Sequence, residues 1–128
     1  MIMSLWIKIK RSCAYLEGWL DDPITFDNGY SLDIQASASF HCEPKQDMEN
    51  INKYSAFEVF ISKIEECDTK HGVKCTSHRR IDFSKVEIKN NRLKELVNRF
   101  KGDYALNYVP AKEVQEIYDI VKSGDFLV

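Results

Sequence analysis

The residues best suited to metal chemistry are two cysteines and two histidines near the middle of the chain. The spacing Cys-x3-His-x3-Cys-x2-His joins Cys67, His71, Cys75 and His78. Thiolate and imidazole are ligand types that zinc binds in a tetrahedron. The spacing matches neither a zinc finger nor a zinc knuckle, and Gly72 interrupts the helix predicted here. We favour Cys67 as a core residue and both histidines as part of a solvated loop. A small metal-binding regulator or enzyme centred on these residues is the alternative.

A cysteine nucleophile would need a histidine as its base, and His41 precedes Cys42 directly. Adjacent residues at the end of a strand point to opposite faces, so these two cannot act as a pair. A base from elsewhere, His71 or His78, would be required. The chain has no phosphate-binding glycine loop, no nucleophile elbow and no zinc-protease motif. We therefore expect a protein that is not an enzyme and has no cofactor.

Acidic residues are concentrated in one part of the chain. Residues 12–50 hold eight acids and one base, Lys45, so this segment has a net charge of −7. The formal net charge of the whole chain is only −2. A negative face attracts and steers a basic partner. The alternative is that these acids are dispersed over the surface and only keep the protein soluble.

We expect partner contacts from an aromatic residue and the acids around it, because such a surface suits arginine and lysine. The predicted contact residues are Glu17, Trp19, Asp21, Asp22, Asp27 and Asp33. Trp19 fits a core position equally well. The acids also have the chemistry for acid/base or divalent-metal sites, although no calcium-loop pattern is present.

Length and composition indicate one domain, residues 1–128, with 44% hydrophobic and 12% aromatic residues. A chain of this size buries enough surface to fold without disulfides or metal. It has no apolar run long enough to span a membrane and no signal-peptide pattern. We expect a cytoplasmic protein with reduced cysteines. Lysine and arginine are not concentrated enough to predict nucleic-acid binding.

The strand predictions rest on alternation of apolar and polar residues. Alternation predicts strands over residues 3–10 and over Tyr30–His41, while residues 12–21 suit a short helix or a turn. Asn28-Gly29 predicts a hairpin before the longer strand. A three-residue loop with Gly29 in the left-handed region keeps the apolar face intact, because it pairs Phe26 with Tyr30 and Ile24 with Leu32.

Apolar residues at helical spacing predict three helices. The first covers residues 55–71 and begins with a capping box of Ser55 and Glu58. The others run from Asn90 or Asn91 to Gly102 and from Pro110 to Gly124, with short strands at residues 80–83 and 104–109. The predicted fold is α+β: a mainly antiparallel sheet with an N-terminal hairpin and about three helices packed on one face.

In size, composition and layout, the chain resembles the immunity proteins of bacterial contact-dependent growth inhibition and polymorphic toxin systems. No residue motif carries this resemblance. It implies an antitoxin that binds and neutralises a cognate toxin domain, a basic nuclease, by occluding its active site or substrate groove. A different non-enzymatic function is also open, an adaptor that offers the strand 30–41 for edge pairing.

Overall fold

The computed structural model describes residues 7, 9–14, 18–68, 70–102 and 104–128. The strands are β1 (Arg11–Ala14), β2 (Gly18–Asp21), β3 (Ile24–Thr25), β4 (Tyr30–Gln35), β5 (Ala56–Asp68), β6 (Lys74–Arg80) and β7 (Leu106–Pro110). The helices are α1 (Asn91–Phe100) and α2 (Ala111–Ser123), and Ile51–Lys53 forms one 3-10 turn.

The main sheet is antiparallel and is built around β5. β4 pairs with one edge of β5, and β3 pairs with the outer edge of β4. The other edge of β5 carries β7 along its first residues and β6 along its last. β1 and β2 form a separate two-stranded hairpin. The predicted α+β class and mainly antiparallel sheet are confirmed.

The β3–β4 hairpin has the predicted register. Ile24 lies opposite Leu32, and the Phe26 backbone N–H donates to the Tyr30 carbonyl at 2.9 Å. Gly29 has a φ of 86°, in the left-handed region that a side chain disfavours. The apolar pattern therefore selected the loop length correctly.

The prediction of about three helices was wrong, since the described residues contain two. The predicted helix 55–71 is the long strand β5 and the turn after it. Residues 56–62 of β5 are buried on both faces of the sheet, so apolar side chains occur on both faces. The apolar residues Phe57, Phe60 and Ile61 thus matched a helical spacing by coincidence, although the segment is rich in residues that favour strands.

The two helices near the C-terminus lie where they were predicted. The side chain of Asn90 caps α1 by accepting the Leu93 N–H at 2.9 Å, and Gly124 ends α2 with a φ of 79°. Both helices belong to the same core as the apolar face of the sheet. Its fully buried members include Leu32, Ile34, Phe57, Val59, Ile61, Leu93, Leu96, Ile117, Val121 and Phe126.

Three other element boundaries differ from the predictions. Residues 12–21, predicted as a helix or turn, form most of β1 and β2. The predicted strand 30–41 ends at Gln35, because the backbone N–H of Ala38 and of His41 donate to side chains, not to a neighbouring strand. β6 ends at Arg80, where a strand had been expected to begin. The predicted strand 3–10 lies largely outside the described residues.

The second half of β5 pairs with β6, and together they form a hairpin. This hairpin extends past Tyr30, the first residue of β4. Cys67 and Cys75 face each other on this hairpin, with Cα atoms 5.2 Å apart, and form a disulfide. The prediction of a core Cys67 is wrong, because residue 67 lies on an exposed part of β5. The prediction of reduced thiols is wrong for this pair, because the strand register places the two cysteines within disulfide distance. Cys42 is a buried free thiol. Within the described ranges, no helix is long and apolar enough to cross a membrane.

Candidate partner-binding site

The six predicted contact residues do not all reach one surface. Glu17 lies outside the described residues, and for Trp19, on β2, only the backbone belongs to them. Asp22 and Asp27 are exposed, Asp33 is half-buried and Asp21 is buried. The four aspartates therefore have different environments, which the chain order alone does not indicate.

Asp21 is paired with Arg11 across the β1–β2 hairpin. The Arg11 Nε lies 2.7 Å from the Asp21 Oδ1, and the two side chains are 7% and 0% exposed. The same guanidinium donates to the Met48 carbonyl at 2.8 Å and to the Ala36 carbonyl, and it lies over the Tyr54 ring. Arg11 thereby attaches the hairpin to the loop of residues 36–55.

Gln35 connects β2 with β4. Its Oε1 accepts the Asp21 backbone N–H at 2.9 Å, and its Nε2 donates to the Asp21 carbonyl at 2.7 Å. The Nε2 also donates to the Asp33 carboxylate. A single buried amide therefore places the end of β2 beside Asp33.

The ionisation of Asp21 and of Asp33 is shifted by burial and by neighbouring charges, among them that of Asp22. Burial raises the pKa of Asp21 to about 6, against the opposing effect of Arg11, and the charges of Asp33 and Asp22 contribute to the increase. Burial also raises the pKa of Asp33, against the opposing effects of the Gln35 hydrogen bond and of nearby Arg80 and His78, and Asp22 adds a smaller increase. We call these three residues the aspartate cluster. It adjoins the loop 36–55, whose exposed acids are Glu43, Asp47 and Glu49.

Asp27 is separate from the aspartate cluster. It lies on the β3–β4 turn and lines a shallow cavity of about 500 Å³ together with Phe26, Tyr118 and Lys122. The cluster occupies the opposite end of β4 from this turn. The structure therefore brings together three of the predicted contact residues and leaves a fourth at a distance.

The metal alternative has little geometric support. Cys67 and Cys75 are bonded to each other, and His71 lies in the exposed turn that joins β5 and β6. The His78 Nδ1 lies 2.7 Å from the Ser31 hydroxyl. In the described part of the chain, no three histidine, cysteine or acidic side chains form a group that could hold a metal ion.

Two polar pairs in the structure were not predicted from the sequence. One is Ser31 with His78, but Ser31 is only 1% exposed, so its hydroxyl is closed to a substrate. The other joins buried Glu58 to the half-exposed ring of His41 and to its backbone N–H. Ser55 and Glu58 were interpreted as a capping box, which assigns the Glu58 carboxylate to a helix N-terminus. In the structure this carboxylate binds His41, in the loop before β5.

The strand proposed for edge pairing has one edge fully paired and the other paired in part. β4 pairs with β5 along its whole length and with β3 at Ser31 and Leu32. At the other end of β4, the side chain of Gln35 makes two hydrogen bonds to the backbone of Asp21 in β2. No protein-family model, curated protein or solved structure matches the chain.

Proposed function

We propose that this protein is an immunity protein that binds and neutralises a basic toxin domain, of the nuclease type, without catalysing a reaction itself. The observation that carries the proposal is the aspartate cluster, in which Asp22 is exposed and Asp33 half-exposed beside it. Nuclease surfaces are basic because they bind phosphate, so a negative surface is attracted to the substrate groove and occludes it.

In this proposal Asp21 is a positioning residue. Its charge is largely compensated by Arg11, so it adds little to the external potential. Its backbone bonds to Gln35 hold the end of β2 against β4, and this places Asp22 beside Asp33. A site that is ordered before binding loses less conformational entropy when the partner arrives.

The charge of the neighbouring segment supports the same proposal. The loop 36–55 is attached to the hairpin through Arg11 and carries three further exposed acids, Glu43, Asp47 and Glu49, against two exposed lysines, so its net charge is −1. Several carboxylates on adjoining segments give a stronger and longer-range potential than one ion pair. We expect association to be fast at low salt and to slow as salt is added.

We also propose a cytoplasmic location, where a nuclease toxin would meet its substrate. Cytosolic thiol systems keep most protein disulfides reduced. The Cys67–Cys75 disulfide would be one of the few that persist in that compartment.

The test is co-expression with the protein encoded immediately upstream, followed by purification of the complex and a toxicity assay. We expect a one-to-one complex and rescue of the cells. Asp22→Asn and Asp33→Asn should each lower the association rate at low salt by about threefold or more. Asp119→Asn, an exposed acid on α2, is the matched control and should leave the rate unchanged. Absence of a complex and of rescue, or an equal effect of the control, would refute the proposal.

A further inference from the structure

A second surface of the molecule has the opposite charge. A cavity of about 590 Å³ lies where β4 begins and β6 ends, beside the loop that follows β6. Its lining includes four basic residues, Lys63, Arg79, Arg80 and Lys85, and one acidic residue, Asp82. A cavity of this volume is within the range of small-molecule sites.

The strand register places two of these cations side by side. Lys63 on β5 lies directly opposite Arg79 on β6, and Tyr30 on β4 lies directly opposite Lys63 on its other side. Directly opposite residues of antiparallel strands share a face of the sheet, so the three side chains form a row. Like charges in such positions repel each other, and the pair lowers the stability of the sheet unless an anion compensates it.

The available carboxylates do not fully compensate this row. Glu65 pairs with Arg79 at 2.9 Å, whereas among the described residues no carboxylate pairs with Lys63. The Lys85 Nζ lies 3.9 Å from the Asp82 Oδ2, a long ion pair at an exposed position, while the Asp82 Oδ1 accepts two hydrogen bonds from Ser84. Lys63 is therefore available to an anionic ligand, and Lys85 can exchange its long, exposed contact with Asp82 for one.

Arg80 contributes less charge to the cavity than its position in the lining implies. Consecutive residues of a strand point to opposite faces, so Arg80 points away from the side of Arg79. Its guanidinium lies 3.9 Å from the centre of the Phe60 ring. The cations that face the cavity are therefore Lys63, Arg79 and Lys85.

An exposed aromatic side chain borders the same cavity. Tyr104 is 51% exposed, and it also lines an adjoining cavity of about 560 Å³ that includes Lys94 and Lys101. An exposed ring between two cation-bearing cavities offers a planar surface for stacking. Phosphate groups accept charge-assisted hydrogen bonds from lysine and arginine. A planar ring system can stack on the Tyr104 side chain.

We propose that this cavity binds a small organic phosphate with a planar ring, such as a nucleoside diphosphate. Lys63, Arg79 and Lys85 hold the phosphate groups, and Tyr104 stacks on the ring. This site is independent of the aspartate cluster and of the proposed toxin partner.

The test is isothermal titration calorimetry of the full chain at fixed low ionic strength, with ADP and with pyrophosphate as probes. We expect ADP to bind more tightly than pyrophosphate. Lys63→Gln should weaken the binding of both probes by about tenfold. Lys85→Gln, in the loop after β6, should weaken both without any change to the sheet. Tyr104→Ala should weaken ADP and leave pyrophosphate unchanged.

Lys53→Gln is the matched control, since it removes one exposed positive charge in the 3-10 turn, outside the cavity lining. It should leave both affinities within about twofold of the original protein. The proposal is overturned if neither probe binds, or if Lys53→Gln weakens binding as much as Lys63→Gln. Equal affinity for ADP and pyrophosphate would overturn the assignment of an organic phosphate.

Discussion

Arg11 and Asp21 lie opposite each other at the end of the β1–β2 hairpin and form a buried ion pair, with 2.7 Å between Nε and Oδ1. The same arginine donates to the carbonyls of Ala36 and Met48. The pair therefore joins the hairpin to the loop 36–55. Removal of one member of a buried pair costs more than the pair itself contributes, because the other charge is left without compensation.

Arg11→Met should lower the free energy of unfolding by about 3 kcal/mol, since it leaves the Asp21 carboxylate buried without its counter-charge. Urea denaturation followed by circular dichroism measures the loss. Arg99→Met is the control, because Arg99 pairs with Glu95 on the exposed side of α1, and its effect should be much smaller. Equal losses for the two variants would show that the buried pair does not support the fold.

The buried carboxyl of Asp21 should make stability depend on pH. Its pKa is about 6 in the folded protein and near 3.8 when unfolded, so between these values the folded state binds the proton more tightly. As the pH rises from 4 to 7, the original protein should lose stability relative to Asp21→Asn, by an amount on the order of 2 kcal/mol. Urea midpoints at unit pH steps measure this difference. Parallel curves, or a difference of opposite sign, would contradict the raised pKa.

The disulfide should stabilise the hairpin of β5 and β6 only under oxidising conditions. The double variant Cys67→Ser with Cys75→Ser should unfold at lower urea than the original protein, by about 2 kcal/mol, because the closed loop is short. Addition of a reductant should abolish the difference. A difference that persists under reduction would show that the serines themselves perturb the strands. The disulfide itself can be checked by alkylating the denatured protein and counting the modified cysteines by mass spectrometry. The unreduced protein should have two fewer modified cysteines than the reduced protein.

Asn28 should stabilise a helix that is distant in sequence. Its Nδ2 donates to the carbonyls of Val121 and Lys122, at 2.8 and 3.0 Å, in the last turn of α2. Asn28→Ala should lower stability by about 1 kcal/mol and increase hydrogen exchange in that turn. Asn98→Ala, at an exposed position of α1, is the control and should cause no loss. Unchanged exchange at the end of α2 in Asn28→Ala would contradict this role.

The elements predicted correctly are those in which a local signal and the burial pattern agree. Asn28 and Gly29 favour a turn, and the alternation around them permits one loop length that keeps the apolar face together. Asn90 and Gly124 mark helix ends beside residues with helical spacing. β5 was mispredicted because both of its faces are buried, and such a strand lacks the alternation that identifies strands exposed on one face.

The candidate site was predicted only in part for a related reason. The sequence by itself determined the acid-rich segment, the β3–β4 hairpin and the two C-terminal helices, since each depends on residues close together in the chain. Only the tertiary structure decided that Asp21 is buried against Arg11, that Asp33 joins the cluster through Gln35, and that Lys63 lies beside Arg79. Each of these contacts depends on strand pairing or on packing between separate segments, and composition and spacing carry no information about which segments meet.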